Sequence, residues 1–291
     1  MMNSTGLSEH ELQEAVSLIQ KAVNFQESLK STVFADQVMD RSIPVVWFGR
    51  RSPGSLVTIG TNPSSKEFVA TDGSLLADEK SRFFVREEGV SLYQYRGNEQ
   101  ALFETIQHYQ TYFERDTVYS GWFGKRDGAK LEGFLNGLGY SFYKDMNLSP
   151  VVHIDFFPIP TLKQMGQIRG RESVANSQEV RSLLSDTIRF LSPGRILILG
   201  REHCERFQRF YPGTQLGVVN EIEGYPAARF QTGYSEEFGA EVIGLHFKPS
   251  EQFLALGGGV DNNGLSHGSY GGRAAIRQLG EAVRKNVELS S

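Results

Sequence analysis

Three places in the chain set polar side chains at the end of an apolar run. Leu56-Val57-Thr58-Ile59-Gly60 leads into Thr61-Asn62-Pro63-Ser64-Ser65. The stretch from Asp145 to Thr161 carries Asn147, His153 and Asp155 among apolar neighbours. Glu241-Val242-Ile243-Gly244-Leu245 ends on His246, with Lys248, Pro249 and Ser250 soon after. These residue types have defined uses. A side-chain amide offers both a donor and an acceptor, so it can read a planar ring or hold a water. An imidazole can donate to an atom where negative charge develops. Serine, lysine and arginine can hold phosphate oxygens. Gly60 lets the backbone turn and lets a ligand come close. Pro63 keeps Asn62 extended, which aims its side chain.

Each group also has a purely structural use. Asn62 can fix its own turn, Asp155 can cap the next segment or pair with an arginine, and His246 can be a satisfied edge histidine. Taken together the three are better explained by one cleft. In an open α/β sheet, parallel strands bring their carboxyl ends to one edge, where ligands sit.

The remaining elements are those such a sheet needs. Ser8-Glu9-His10-Glu11 has the form of a capping box, and Leu12, Val16, Ile19 and Val23 then mark one helix face. Pro44 to Gly49 reads as a short strand. Lys66 to Arg82 is polar, with Asp72-Gly73 as a turn. Helices are expected over 98–115, 129–138, 178–191, 201–210 and 273–287, and Gly139 and Pro193-Gly194 stop two of them. Arg195-Ile196-Leu197-Ile198-Leu199-Gly200 is apolar enough to be a strand buried on both faces. Strands alternating with helices predict a three-layer α/β/α sandwich with a mainly parallel central sheet. The expected organisation is an N-terminal helical extension over 1–40 and a single α/β/α domain over 41–291.

Composition narrows the function. The 291 residues include 20 Phe and 11 Tyr, ample for a core, and a net charge of -4, which argues against a surface coated with nucleic-acid-binding charge but leaves room for a local basic groove. No apolar run is long enough for a membrane span, and the N-terminus has no apolar leader. Cys204 is the only cysteine, so internal disulfides and cysteine metal cages are excluded. A cytoplasmic monomer with no metal, no cofactor and no membrane partner is expected. Walker-type and Gly-x-Gly-x-x-Gly phosphate loops are not found. A serine hydrolase with a Gly-x-Ser-x-Gly elbow is not expected.

The three strand ends resemble those of the uracil-DNA glycosylase superfamily. Gly60-Thr61-Asn62-Pro63-Ser64 is similar to its first motif, in the asparagine form of the mismatch-specific and thymine-DNA branches. Arg195 to Gly200 resembles its penultimate strand. Leu245-His246-Phe247-Lys248-Pro249-Ser250 is similar to its second motif, with Phe247-Lys248 inserted between the histidine and the proline. The resemblance spans residues 40 to 288. It implies hydrolysis of the N-glycosidic bond of uracil or a related damaged base in DNA, after the base is flipped into a pocket. Asn62 would then position the attacking water, and His246 would donate to the departing base, with His267 in reserve. Phe83, Phe84 or Phe68 would supply the stacking face. Asn147 or Asp155 would read the base edge, with His153 also open for that place. Ser64 or Ser250, with Lys248, Arg169, Arg171 and Lys163, would hold DNA phosphates. The alternative is an inactive or repurposed protein of the same fold that binds nucleic acid or a nucleotide.

Overall fold

The computed structural model describes residues 5–76, 78–251 and 272–290. In chain order the helices are α1 (Glu9–Ser28), α2 (Leu92–Arg96), α3 (Glu99–Gln110), α4 (Ser120–Phe123), α5 (Lys130–Leu138), α6 (Arg171–Ala175), α7 (Gln178–Leu191), α8 (Arg201–Phe210) and α9 (Arg273–Ser290). The strands are β1 (Leu56–Gly60), β2 (Tyr140–Ser141), β3 (Ser149–Asp155), β4 (Arg195–Leu199), β5 (Thr214–Leu216), β6 (Asn220–Ile222), β7 (Tyr225–Ser235) and β8 (Ala240–Leu245). They form one mainly parallel mixed sheet flanked by helices, the three-layer α/β/α layout expected. Its order is β2-β3-β1-β4-β8-β7-β5, with β6 paired to β7.

The chain divides into two compact units. One comprises Met1–Arg51, Gly60–Val118 and His153–Ser192; the other comprises Ser52–Ile59, Tyr119–Val152 and Pro193–Ser291. The division falls inside β1 and β3, so most of the sheet belongs to the second unit and the carboxyl ends of these two strands belong to the first.

In the first unit, α1 begins on the expected capping box. The Ser8 hydroxyl accepts from the Glu11 N–H, and the Glu11 carboxylate accepts from the Ser8 N–H. Ala15, Leu18, Ile19, Ala22 and Val23 are its buried face, which packs against α7 and α3. α7 ends where Ser192 turns into the left-handed region ahead of Pro193. The strand expected over 44–49 does not form a ladder. Phe48 and His153 exchange two backbone hydrogen bonds, at 2.8 and 3.0 Å, and Val45 donates to the Pro158 carbonyl. The segment opposite cannot continue the pairing, because Phe156 and Phe157 donate instead to the Gly60 and Thr61 carbonyls, and Pro158 and Pro160 have no N–H. For the same reason β3 covers only part of the apolar stretch from 145 to 161.

In the second unit, β4 lies between β1 and β8 in parallel register, and Ile196 to Leu199 are wholly buried, as an all-apolar run requires. β7 runs antiparallel to β8 and carries β5 and β6 on its other side. α5 stops on Gly139 at φ +97. α5 and α9 pack closely through glycines: a Cβ on Gly137 would lie 2.0 Å from the Arg277 carbonyl, and one on Gly280 would lie 2.0 Å from the Phe134 carbonyl.

Candidate functional site

The first unit gathers polar groups at the ends of β1 and β3. Asn62 follows β1 by two residues and is half-buried. Its Nδ2 lies 2.9 Å from Thr161 Oγ1 and 3.1 Å from the Pro63 carbonyl. The Thr161 hydroxyl spends its one proton on the Lys163 carbonyl at 2.6 Å, so towards Asn62 it can only accept. Both contacts therefore require the NH2 group there, and the amide orientation is determined. The carbonyl oxygen Oδ1 is left with no partner among the described residues.

Beside it lies a buried pair. His153 Nε2 is 3.4 Å from Asp155 Oδ1, and both side chains are almost fully enclosed. They fit because residue 60 is glycine: a Cβ there would sit 2.5 Å from Asp155 Oδ1 and 3.0 Å from His153 Cε1. The imidazole also packs edge-on against Phe48, with ring centroids 5.1 Å apart. Glu67, in the short 3₁₀ turn after Pro63, completes the cluster. It is 2 % exposed, and the Tyr112 hydroxyl lies 2.8 Å from each of its carboxyl oxygens. Burial pushes its carboxyl up to about 8, opposed by the Tyr112 hydrogen bond and the Arg82 guanidinium and reinforced by the charge of Asp155. The protonated, neutral acid is thus the favoured form at neutral pH.

Several expected site residues are placed otherwise. Phe83 is wholly buried among Phe48, Phe68, Tyr109 and Tyr112, and Phe68 is buried with it, so neither presents an open stacking face. Phe84 is half-buried against Tyr95. Asn147 is exposed, in a left-handed turn at the amino end of β3, whereas Asp155 closes that strand at its carboxyl end. A strand's length of chain separates them, so they do not share a strand end. Ser64 caps the turn over 65–67, accepting from the Lys66 N–H at 3.2 Å. Arg169 and Lys163 are exposed, and Arg171 pairs with Glu172.

The second unit holds the other candidates. His246 directly follows β8 and faces Gln231, with Nε2 2.9 Å from Oε1. Gln231 Nε2 donates to the Gly217 carbonyl at 2.7 Å, which can only accept. The amide oxygen must then face the histidine, so Nε2 of the imidazole carries the proton and Nδ1 carries the lone pair. Burial, with help from Arg201 and Arg229, holds this imidazole below its ordinary pKa. Its one proton in the neutral form is committed to Gln231, which corrects the expectation of a ready donor to a departing base. A cavity of about 300 Å³ adjoins it, lined by Arg201, Cys204, Glu205, Val219, Arg229, Gln231 and His246.

Lys248 is largely covered and pairs with Glu202 and Glu251 at 3.6 and 3.3 Å. Ser250 is buried. Its hydroxyl donates to the Trp122 carbonyl and accepts from the Leu131 N–H at the start of α5, so both its functions are structural and it is not open to a phosphate. His267 lies outside the described residues. So does Gly264-Leu265-Ser266-His267-Gly268, which has the Gly-x-Ser-x-Gly spacing that was not expected.

Among the described residues no His, Cys, Asp and Glu cluster could hold a metal ion, and no helix is long and apolar enough to cross a membrane. Comparison with protein-family models, with curated proteins and with solved structures found no match to this chain.

Sequence reasoning missed Thr161, Glu67 and Gln231. A threonine between Pro160 and Leu162, a glutamate in a polar turn and a glutamine in a strand give no local signal. Each matters through a partner remote in the chain.

Proposed function

We propose that this protein hydrolyses an N-glycosidic bond, with uracil in DNA as the base to be released. The observation that carries this reading is the orientation of Asn62. Its carbonyl oxygen is the open end of the amide, at the carboxyl end of β1, which is where an acceptor is wanted to hold the attacking water. In the reaction the bond from the sugar C1′ to the base nitrogen breaks, and its electron pair leaves with the base. The water adds its oxygen to C1′, and its proton passes to solvent or to the departing base. Asn62 accepts a hydrogen bond from that water and does not take the proton, since an amide is a poor base. Turnover is therefore slow. Asp155, enclosed between Gly60 and His153, supplies an acceptor for the ring N–H of uracil once the entering base uncovers it.

The experiment is base release from a uracil-containing oligonucleotide, read as strand cleavage after alkali. Cleavage by the wild type and its loss in Asn62→Ala support the reading. No cleavage of U·G, U·A or single-stranded substrate sinks it.

Two observations favour a second reading, a repurposed protein of this fold that binds a nucleotide or nucleic acid without cutting it. Phe83 is enclosed in the core, and the His246 proton is engaged. Measurable DNA binding with no base release selects this alternative.

A further inference from the structure

We propose that the cavity beside His246 is a binding site for a small phosphate ester of nucleoside monophosphate size, its phosphate held by Arg201 and Arg229. The volume, about 300 Å³, lies at the lower end of the range for small-molecule pockets. That suits a single nucleotide, not a duplex.

Apart from Val219, which precedes β6, the lining comes from α8, β7 and the end of β8, all in one unit, and converges by ordinary periodicity. Arg201, Cys204 and Glu205 stand at i, i+3 and i+4 on α8, one face of the helix. Arg229 and Gln231 stand at i and i+2 on β7, one face of the strand. His246 follows β8, and its backbone N–H donates to the Arg229 carbonyl at 2.8 Å, which ties the end of β8 to β7.

The charges suit an anion. Arg201 pairs with Glu205 at 2.9 Å and Arg229 with Glu221 at 2.8 Å, and all four side chains are more than half exposed. Such exposed pairs are weak. A phosphate with its greater charge and matched oxygen geometry can replace the carboxylates on the guanidiniums. Glu205 opposes an anion from within the lining, but it is one carboxylate against the two guanidiniums of Arg201 and Arg229. His246 adds selectivity. Its Nε2 proton faces Gln231, and its Nδ1 has no partner among the described residues, so the site presents a lone acceptor to a ring N–H or a ribose hydroxyl.

Calorimetric titration of the full chain with uridine monophosphate, uridine and inorganic phosphate tests this. Uridine monophosphate should bind, uridine and inorganic phosphate more weakly. Arg201→Ala and Arg229→Ala should each reduce the affinity for uridine monophosphate about tenfold, as the loss of a charge-assisted contact implies. Both arginines are exposed, so the variants retain the fold, and circular dichroism checks this. The proposal falls if uridine monophosphate does not bind at millimolar concentration. It also falls if either substitution leaves binding unchanged, or if either uridine or phosphate alone binds as tightly as the nucleotide. Asn62→Ala separates this site from the proposed function: it should abolish base release and leave the affinity for uridine monophosphate unchanged.

Discussion

The side-chain amide of Asn62 donates to the hydroxyl of Thr161 at 2.9 Å, across 99 positions of sequence. The threonine in turn donates to the Lys163 carbonyl. Together with the Pro63 carbonyl, which also accepts from the amide, this short relay decides which end of Asn62 is open.

Thr161→Val should test the relay without touching Asn62. Valine matches the shape of threonine but neither accepts from the amide nor donates to Lys163. The expected cost in stability is about 1–2 kcal/mol for the lost buried hydrogen bonds. On the proposed function, base release should slow, because the amide then keeps only its contact with the Pro63 carbonyl and is held less firmly. Ser at this position should restore most of the rate. A single-turnover assay of all three proteins reads both effects, and an unchanged rate in Thr161→Val removes the relay from the mechanism.

Gly60→Ala should displace the buried pair. The added methyl would meet Asp155 Oδ1 at 2.5 Å and His153 Cε1 at 3.0 Å, and neither side chain can swing into solvent. A stability loss of about 1–3 kcal/mol is expected from overpacking, read as the urea midpoint. Base release should fall further than this loss explains, since the wild-type position of Asp155 is no longer available.

Stability should depend on pH through Glu67. Its carboxyl titrates near 4.5 in the unfolded chain and near 8 when folded. A raised folded value means the proton is held more tightly by the native state. The contribution is therefore fully present below 4.5 and is lost as pH rises towards 8, at up to about 1.4 kcal/mol per pH unit. Two histidines, the buried His203 and the half-buried His108, act from the other side. Burial lowers His203 to about 3 and His108 to about 4, from 6.5, so their contribution is lost as pH falls below 6.5. Urea midpoints should accordingly peak on the acid side of neutrality. Glu67→Gln keeps an acceptor for Tyr112 and has no titration, so it should abolish the alkaline decline.

Gly280→Ala should destabilise the second unit. The new methyl would sit 2.0 Å from the Phe134 carbonyl, in the closest part of the contact between α5 and α9. Backbone cannot yield as a flexible side chain does, so the helices must separate. The expected cost is about 3 kcal/mol. Alanine is intrinsically the better helix former, so a stabilised variant would show that the helices are not held this closely.

Much of the framework was legible in the sequence because its causes are local. The capping box of α1 lies within four residues. β4 is read from four consecutive apolar residues, Ile196 to Leu199, and α5 is stopped by a glycine that can take φ +97. Alternation of such elements was sufficient to imply a mainly parallel sheet between helices. The antiparallel hairpin around β7 was not foreseen, because residues 211–240 show no simple alternation and their pairing is settled by β8 alongside them.

Site chemistry was much less legible. Sequence pointed to Asn62, Asp155 and His246 by type and by place at strand ends. It could not say that Phe83 packs inward, that Ser250 serves α5, or that Asn147 sits at the far end of its strand. Nor could it orient the Asn62 amide or choose the tautomer of His246. Those depend on Thr161 and Gln231, and the proton each polar group carries is decided by neighbours that only the tertiary structure supplies. By itself, then, the sequence determined the elements and the residue types at the strand ends. The tertiary structure decided which donors and acceptors remain open there, because a hydrogen-bonding group is defined by what it already meets.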